Sequence, residues 1–149
     1  MKTTRIFVKN IVIGAFLAIS LNLSGQKITT AFQEVKEIPK GKGLVYVYSV
    51  KKKQGFSYRI NVNHSPVKPA LYSGGYFIYY ADLGYNTLSS LKDGKKDSVQ
   101  IGIREGETYF VEGSLKTGFV TGTGTPVLEL VNPASARKRI AKCKLIADD

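Results

Sequence analysis

Few side chains in this sequence are of the types that do chemistry, and their spacing limits what each can do. His64 is the only histidine, so a nucleophile–base pair would have to join it to Cys143 or a serine, and a histidine-based metal site would rest on it alone. It falls in the run Asn63-His64-Ser65-Pro66, a turn, where an exposed imidazole is expected. Cys143 has no second cysteine to pair with, which excludes an internal disulfide and a zinc-type pair and predicts a buried or inert thiol. Thr121 to Pro126 alternates Thr and Gly but lacks the Gly-Lys-Ser/Thr ending of a phosphate loop, and so predicts a flexible loop. Two carboxylates can run glycoside hydrolysis. Here Glu105 and Glu107 flank Gly106 in a turn, while Asp93 and Asp97 share a loop with Lys92, Lys95 and Lys96, which would repel a calcium ion. Both pairs read as solvated turn charges. The expectation is no catalytic residue, no metal site and no cofactor, and a protein that is not an enzyme.

Tyrosine is the more suggestive residue. The chain has nine Tyr and seven Phe but no Trp, and several of the tyrosines fall on alternating positions. If Val45 and Val47 face a core, Tyr46 and Tyr48 face away from it. On the next aromatic run Tyr76, Ile78 and Tyr80 share one face, with Phe77 and Tyr79 on the other. Tyr46, Tyr48, Tyr76 and Tyr80 are therefore candidate surface-contact residues, able to stack on a sugar ring or anchor a protein partner. The competing expectation is that a neighbouring segment or helix covers this face and makes the same rings core.

The elements that position these residues begin after a leader. Lys2, Arg5 and Lys9 form a positive start, Ile11 to Leu23 an apolar run, and Ser24-Gly25 a small-residue end. That order predicts a secretory signal peptide over residues 1–26, cleaved beside Gly25 or Gln26. Thirteen residues of helix span only about 20 Å of a ~30 Å bilayer core, too short for a membrane anchor. Leu23-Ser24-Gly25 is a lipoprotein-like tripeptide, but Gln26 stands where the acylated cysteine would be. The expected location is the periplasm or outside the cell, without a lipid anchor.

Residues 27–43 read as a lead-in, with a short helix conceivable over Lys27–Ile38 before Pro39, Gly41 and Gly43 stop it. Residues 44–145 are the domain, and its segments repeat with period two between turn residues. Leu44–Val50, Ser57–Asn63, Gly75–Tyr80, Tyr85–Leu91, Val99–Ile103, Thr108–Glu112 and Val127–Val131 read as strands, with a short edge strand over Val67–Tyr72. Tyr58, Ile60 and Val62 point inward, as do Val99, Ile101 and Ile103. Asn132 caps a closing helix and Pro133 opens it. Connections this short suit antiparallel pairing. The fold class is all-β: an antiparallel β-sandwich with one short C-terminal helix.

Gly43–Tyr48, Ile60–His64, Leu71–Phe77, Asp82-Leu83-Gly84, Glu105–Val111 and Val127–Val131 with its downstream helix resemble, in that order, the bacterial domain of unknown function 2846. The resemblance spans about residues 39–145. It implies an exported β-sandwich similar in appearance to PEGA-type and prealbumin-like modules, and it carries no functional residue across. Leu83 stands where that pattern usually has Pro, and many such proteins are lipoproteins, which the missing cysteine argues against here.

Charge is the compositional outlier: 22 Lys and Arg against 11 Asp and Glu. Loss of Lys2, Arg5 and Lys9 with the leader leaves 19 against 11, a net of +8. The lysines scatter through turns, as in a solubility device, and no nucleic-acid partner is expected. The function expected is a non-enzymatic envelope or secreted interaction module that contacts a protein or glycan. The alternatives are a shallow-site hydrolase or accessory enzyme using Asp or Glu, and a basic domain docking on anionic lipid or polysaccharide.

Overall fold

A computed structural model describes residues 32–90, 97–117 and 124–147. The leader, Lys92 to Lys96 of the lysine-rich loop and Thr121 to Thr123 of the Thr- and Gly-bearing loop lie outside them. Among the described residues eleven strands and one helix follow in order: β1 Lys42–Tyr48, β2 Ser57–Tyr58, β3 Ile60–Val62, β4 Ser65–Pro66, β5 Leu71–Tyr72, β6 Gly75–Asp82, β7 Gly84–Ser90, β8 Ser98–Ile103, β9 Thr108–Thr117, β10 Gly124–Val131, α1 Pro133–Ile140 and β11 Lys144–Leu145.

The strands form a five-stranded sheet in the order β10-β9-β1-β6-β11 and a four-stranded sheet in the order β4-β3-β7-β8, with β2 and β5 as a small separate pair. The two larger sheets face each other across one apolar layer. Val45, Val47, Phe77, Val111 and Leu128 come from the first, and Ile60, Val62, Leu88, Ile101 and Ile103 from the second. The alternation at Ile60/Val62 and at Ile101/Ile103 thus does face inward, since one sheet face is dry and the other wet. The all-β sandwich with a short C-terminal helix is the architecture of the chain.

Two strand pairs are parallel, unlike the all-antiparallel pattern expected from short connections. β9 lies parallel to β1, with Leu44 opposite Thr108, and β11 lies parallel to β6. Both reach their neighbour only after the chain has travelled elsewhere: before β9 it passes through the second sheet, and before β11 it passes through α1. No short helical crossover is needed.

Other boundaries differ for local reasons. The Ser57–Asn63 strand is interrupted at Arg59, so β2 pairs with β5 while β3 joins the four-stranded sheet. The expected edge strand over Val67–Tyr72 shrinks to Leu71–Tyr72, the chain passing a cis Lys68–Pro69 bond. The last strand starts at Gly124 rather than Val127. It accommodates Pro126 because β10 is an edge strand, where a missing N–H need not break a ladder. The lead-in residues from Phe32 to Ile38 hold no helix. The helix cap is as read: Asn132 Oδ1 accepts a 2.9 Å hydrogen bond from the Ala134 N–H, and Pro133 occupies the first turn.

The five-stranded sheet has a second buried layer. Leu44, Tyr46, Tyr48, Tyr76 and Phe110 pack beneath Ala136, Ile140 and Cys143, with Phe32, Val35 and Ile38 closing the rest. Helix and lead-in together make a third layer on this face. Every residue of β1 from Leu44 to Tyr48 is therefore at most 1% exposed.

Candidate functional site

The covered face corrects the surface reading of three tyrosines and agrees with the competing expectation, in which a neighbouring segment and the helix make these rings core. Tyr46, Tyr48 and Tyr76 are core, because the lead-in and α1 lie on them. Phe32 meets Tyr46 and Tyr76 edge-on, with centroids 5.2 and 5.5 Å apart, and Phe110 stacks on Tyr46 at 5.2 Å. Their hydroxyls are used inside the fold. The Val35 N–H donates to the Tyr46 hydroxyl at 2.7 Å. The Tyr48 hydroxyl donates to Glu112 Oε2 at 2.8 Å, and Arg139 Nη1 donates to the same oxygen at 2.6 Å. Burial first, and then the Glu112 hydrogen bond, push the Tyr48 phenol well above its ordinary range. Burial also raises the Tyr46 and Tyr76 phenols.

Tyr80 alone of the four reaches solvent, at 41% exposure near the end of β6. Two further exposed tyrosines carried no signal in the sequence: Tyr72, and Tyr85 at 80%. Tyr85 stands opposite Gly102 on the outer face of the four-stranded sheet. A Cβ at Gly102 would lie 3.5 Å from the Tyr85 ring, so the ring rests on the space this glycine leaves. Its neighbours on that face are polar: Thr87 opposite Gln100, and Ser89 opposite Ser98.

The other sequence candidates fall to structural duties. His64 is exposed in a turn where it and Asn63 both have positive φ, 69° and 49°. That is the tight two-residue hairpin in which Asn is favoured. Asn63 secures the turn by accepting from the Thr87 N–H at 2.9 Å and donating to the buried Asn86 at 3.0 Å. Glu105 accepts from the Gly41 N–H at 2.7 Å and Glu107 from the Tyr109 hydroxyl at 3.1 Å, so each carboxylate ties down a neighbouring segment. Asp97 is not solvated as expected. It is 3% exposed and accepts from the Ser90 hydroxyl, while its Oδ1 and the Tyr58 hydroxyl have no partner among the described residues. Burial, then the Asp97 charge, raise the Tyr58 pKa.

Cys143 is buried and its S–H donates to the Ser49 carbonyl at 3.3 Å. Burial first, with the Glu112 charge second, pushes the thiol up to about 11. Such a thiol stays protonated and is a poor nucleophile. No group of three or more His, Cys, Asp or Glu able to hold a metal occurs among the described residues. A cleft of about 300 Å³ lies between Arg59, Val67, Lys68 and Pro69, and one of about 360 Å³ between Glu107–Phe110 and Leu130–Pro133. Neither brings two carboxylates together. No helix among the described residues is long and apolar enough to cross a membrane. No protein-family model matches this chain, nor does any curated protein or solved structure.

Proposed function

We propose that the chain is an exported, non-enzymatic binding module of the bacterial cell envelope, working in the periplasm or outside the cell. Its partner is a glycan, met by the outer face of the four-stranded sheet. The observation that carries this reading is Tyr85, 80% exposed and seated on Gly102 in a field of Thr, Ser and Gln side chains. A sugar has an apolar C–H face and a rim of hydroxyls. One aromatic ring with hydroxyl and amide groups along one side of it complements both. The leader-like order of residues 1–26 supports export.

Binding of the protein to an array of envelope glycans tests this reading. The expected result is retention of at least one glycan class, lost on Tyr85→Ala with the melting temperature unchanged. Retention that ignores Tyr85→Ala, or capture of a protein but no glycan through the same face, overturns it.

A further inference from the structure

The basic residues are scattered along the chain, but the fold gathers some of them at one end of the molecule. Three segments meet where β1 ends. The Gly74 N–H donates to the Ser49 carbonyl at 2.9 Å, and the Lys144 N–H donates to the Gly74 carbonyl at 2.9 Å. The Lys52 N–H bonds Ser73 Oγ at 2.9 Å, and Cys143 reaches Ser49 from the other side. The Lys51 side chain packs on Gly74, where φ is +83° and a Cβ would stand only 3.2 Å from Lys51 Cβ. These bonds set Lys51 and Lys52, with Lys53 next along, beside Lys142 and Lys144. All five are exposed, and none makes an ion pair among the described residues. Two carboxylates stand level with the end of β1: Glu112, which Arg139 and Tyr48 hold, and Glu129 opposite it on β10, two strands away from β1.

The opposite end of β1 is different. There Lys42 pairs with Asp82, and Glu105 and Glu107 stand among Lys40, Lys42 and Arg104, so the charges balance. Seven strand residues at about 3.3 Å each separate the two ends by roughly 20 Å, about two and a half Debye lengths at physiological salt. The sandwich is electrically polarised along β1.

Two apolar side chains flank the basic end. Leu145 is 47% exposed directly after Lys144, and Tyr72 is 40% exposed directly before Ser73-Gly74. Tyr72 packs across Gly75, where a Cβ would come within 2.9 Å of its ring. Lysines with a Tyr and a Leu among them are the composition of a bilayer interface: ammonium groups at the phosphates, the phenol at headgroup level, the aliphatic chain beneath. A soluble polyanion would have no use for Leu145.

We propose that this end of the sandwich docks peripherally on an anionic phospholipid bilayer, with Lys51, Lys52, Lys142 and Lys144 on the headgroup phosphates and Tyr72 and Leu145 in the interface. The surface used is separate from the Tyr85 face, which lies toward the Lys42–Asp82 end of β1.

Co-sedimentation of the full protein with vesicles tests the proposal. Vesicles of phosphatidylglycerol and phosphatidylcholine should bind it, pure phosphatidylcholine should not, and high salt should release it. Each of Lys52→Gln and Lys144→Gln should weaken binding about fivefold. Lys40→Gln, at the balanced end, should change it less than twofold. Leu145→Ser should weaken binding to vesicles yet leave binding to soluble inorganic polyphosphate unchanged. Circular dichroism melts of each variant guard against misfolding. Equal binding to neutral vesicles, an equal effect of Lys40→Gln, or indifference to Leu145→Ser overturns the proposal.

Discussion

The backbone N–H of Val35 donates a 2.7 Å hydrogen bond to the hydroxyl of Tyr46, eleven residues on, and so straps the lead-in segment to the central strand of the larger sheet. Phe32 supports the strap by wedging edge-on against Tyr46 and Tyr76. Glu34 adds a two-pronged pair to Arg137, each bond 2.8 Å. The guanidinium hydrogen bond holds the Glu34 carboxyl below the usual carboxylate range. The lead-in is thus part of the core and ties the sheet to α1.

Removing the pieces of that strap should cost stability in proportion to burial. Tyr46→Phe loses one hydrogen bond and leaves the Val35 N–H unpaired, about 1 kcal/mol. Phe32→Ala removes a half-buried ring, about 2 kcal/mol. The two act on one contact, so the double variant should fall short of their sum. Urea midpoints read all three. A Phe32→Ala protein as stable as the parent would mean that the lead-in is not packed as described.

The glycine at the start of β6 sits under two side chains. A Cβ at Gly75 would lie 2.7 Å from Ile146 Cδ1 and 2.9 Å from the Tyr72 ring, so Gly75→Ala must turn both side chains aside. The expected loss is about 2 kcal/mol, as for other overpacked sites. At Gly106 nothing lies near and φ is +72°, so Gly106→Ala should cost less, about 1 kcal/mol from backbone strain alone. Thermal melts of the two variants should rank them in that order.

Alkali should weaken the fold through buried acids. The Cys143 thiol ionises near pH 9 in the unfolded chain and at about 11 in the folded one. Between those values the unfolded state has given up a proton that the folded state keeps. Stability therefore holds below about pH 9 and falls as pH rises toward 11, by about 2 kcal/mol from this group. Tyr46, Tyr48, Tyr58 and Tyr76, all raised by burial, pull the same way. Cys143→Ala should flatten the first part of that slope. In native protein at pH 8 the thiol should react with a disulfide reagent about 100-fold more slowly than in urea, having to wait for local opening.

How much of this was legible depends on distance along the chain. The inward sets at Ile60/Val62 and Ile101/Ile103, the Asn132 cap and a turn at Asn63-His64 follow from neighbours a few residues apart, though Ser65–Pro66, read as part of that turn, pairs as β4. The burial of Tyr46 and Tyr48 had a signal too. Leu44 to Tyr48 contains no polar residue, and an unbroken apolar run marks a strand covered on both faces. Reading it as a simple alternation gave the tyrosines to solvent. The parallel β1–β9 pair joins residues more than sixty positions apart, which no local pattern encodes. Tyr85 and the basic end were hidden for the same reason. One needs Gly102 from the next strand, and the other needs three segments brought together by backbone hydrogen bonds.

Export rests on residues 1–26, and its test is independent of the fold. Protein recovered from fractionated cells should begin near Gln26 or Lys27, and labelled palmitate should stay out of it because Gln26 carries no thiol. N-terminal sequencing that returned Met1, or label in the purified protein, would reverse the respective half of this prediction.

The inward face of the smaller sheet admits the sharpest test. Ile101 is 2% exposed and Ile60 fully buried, both against Val45, Val47 and Leu128 from the opposing sheet. Ile101→Asp puts a carboxylate into that layer with no cation facing it. The group must be buried charged, or take up a proton, or hold the sheets apart, and each route costs about 4 kcal/mol or more. Lys52→Asp changes the charge by two units but sits exposed in a turn, so its effect should stay within about 0.5 kcal/mol. Gln100, one residue from Ile101, points to solvent, and Gln100→Asp should behave like the lysine variant. That adjacency makes the comparison specific to register. A strand slipped by one residue would reverse the order of Ile101→Asp and Gln100→Asp in a thermal melt, because period two carries every side chain to the other face.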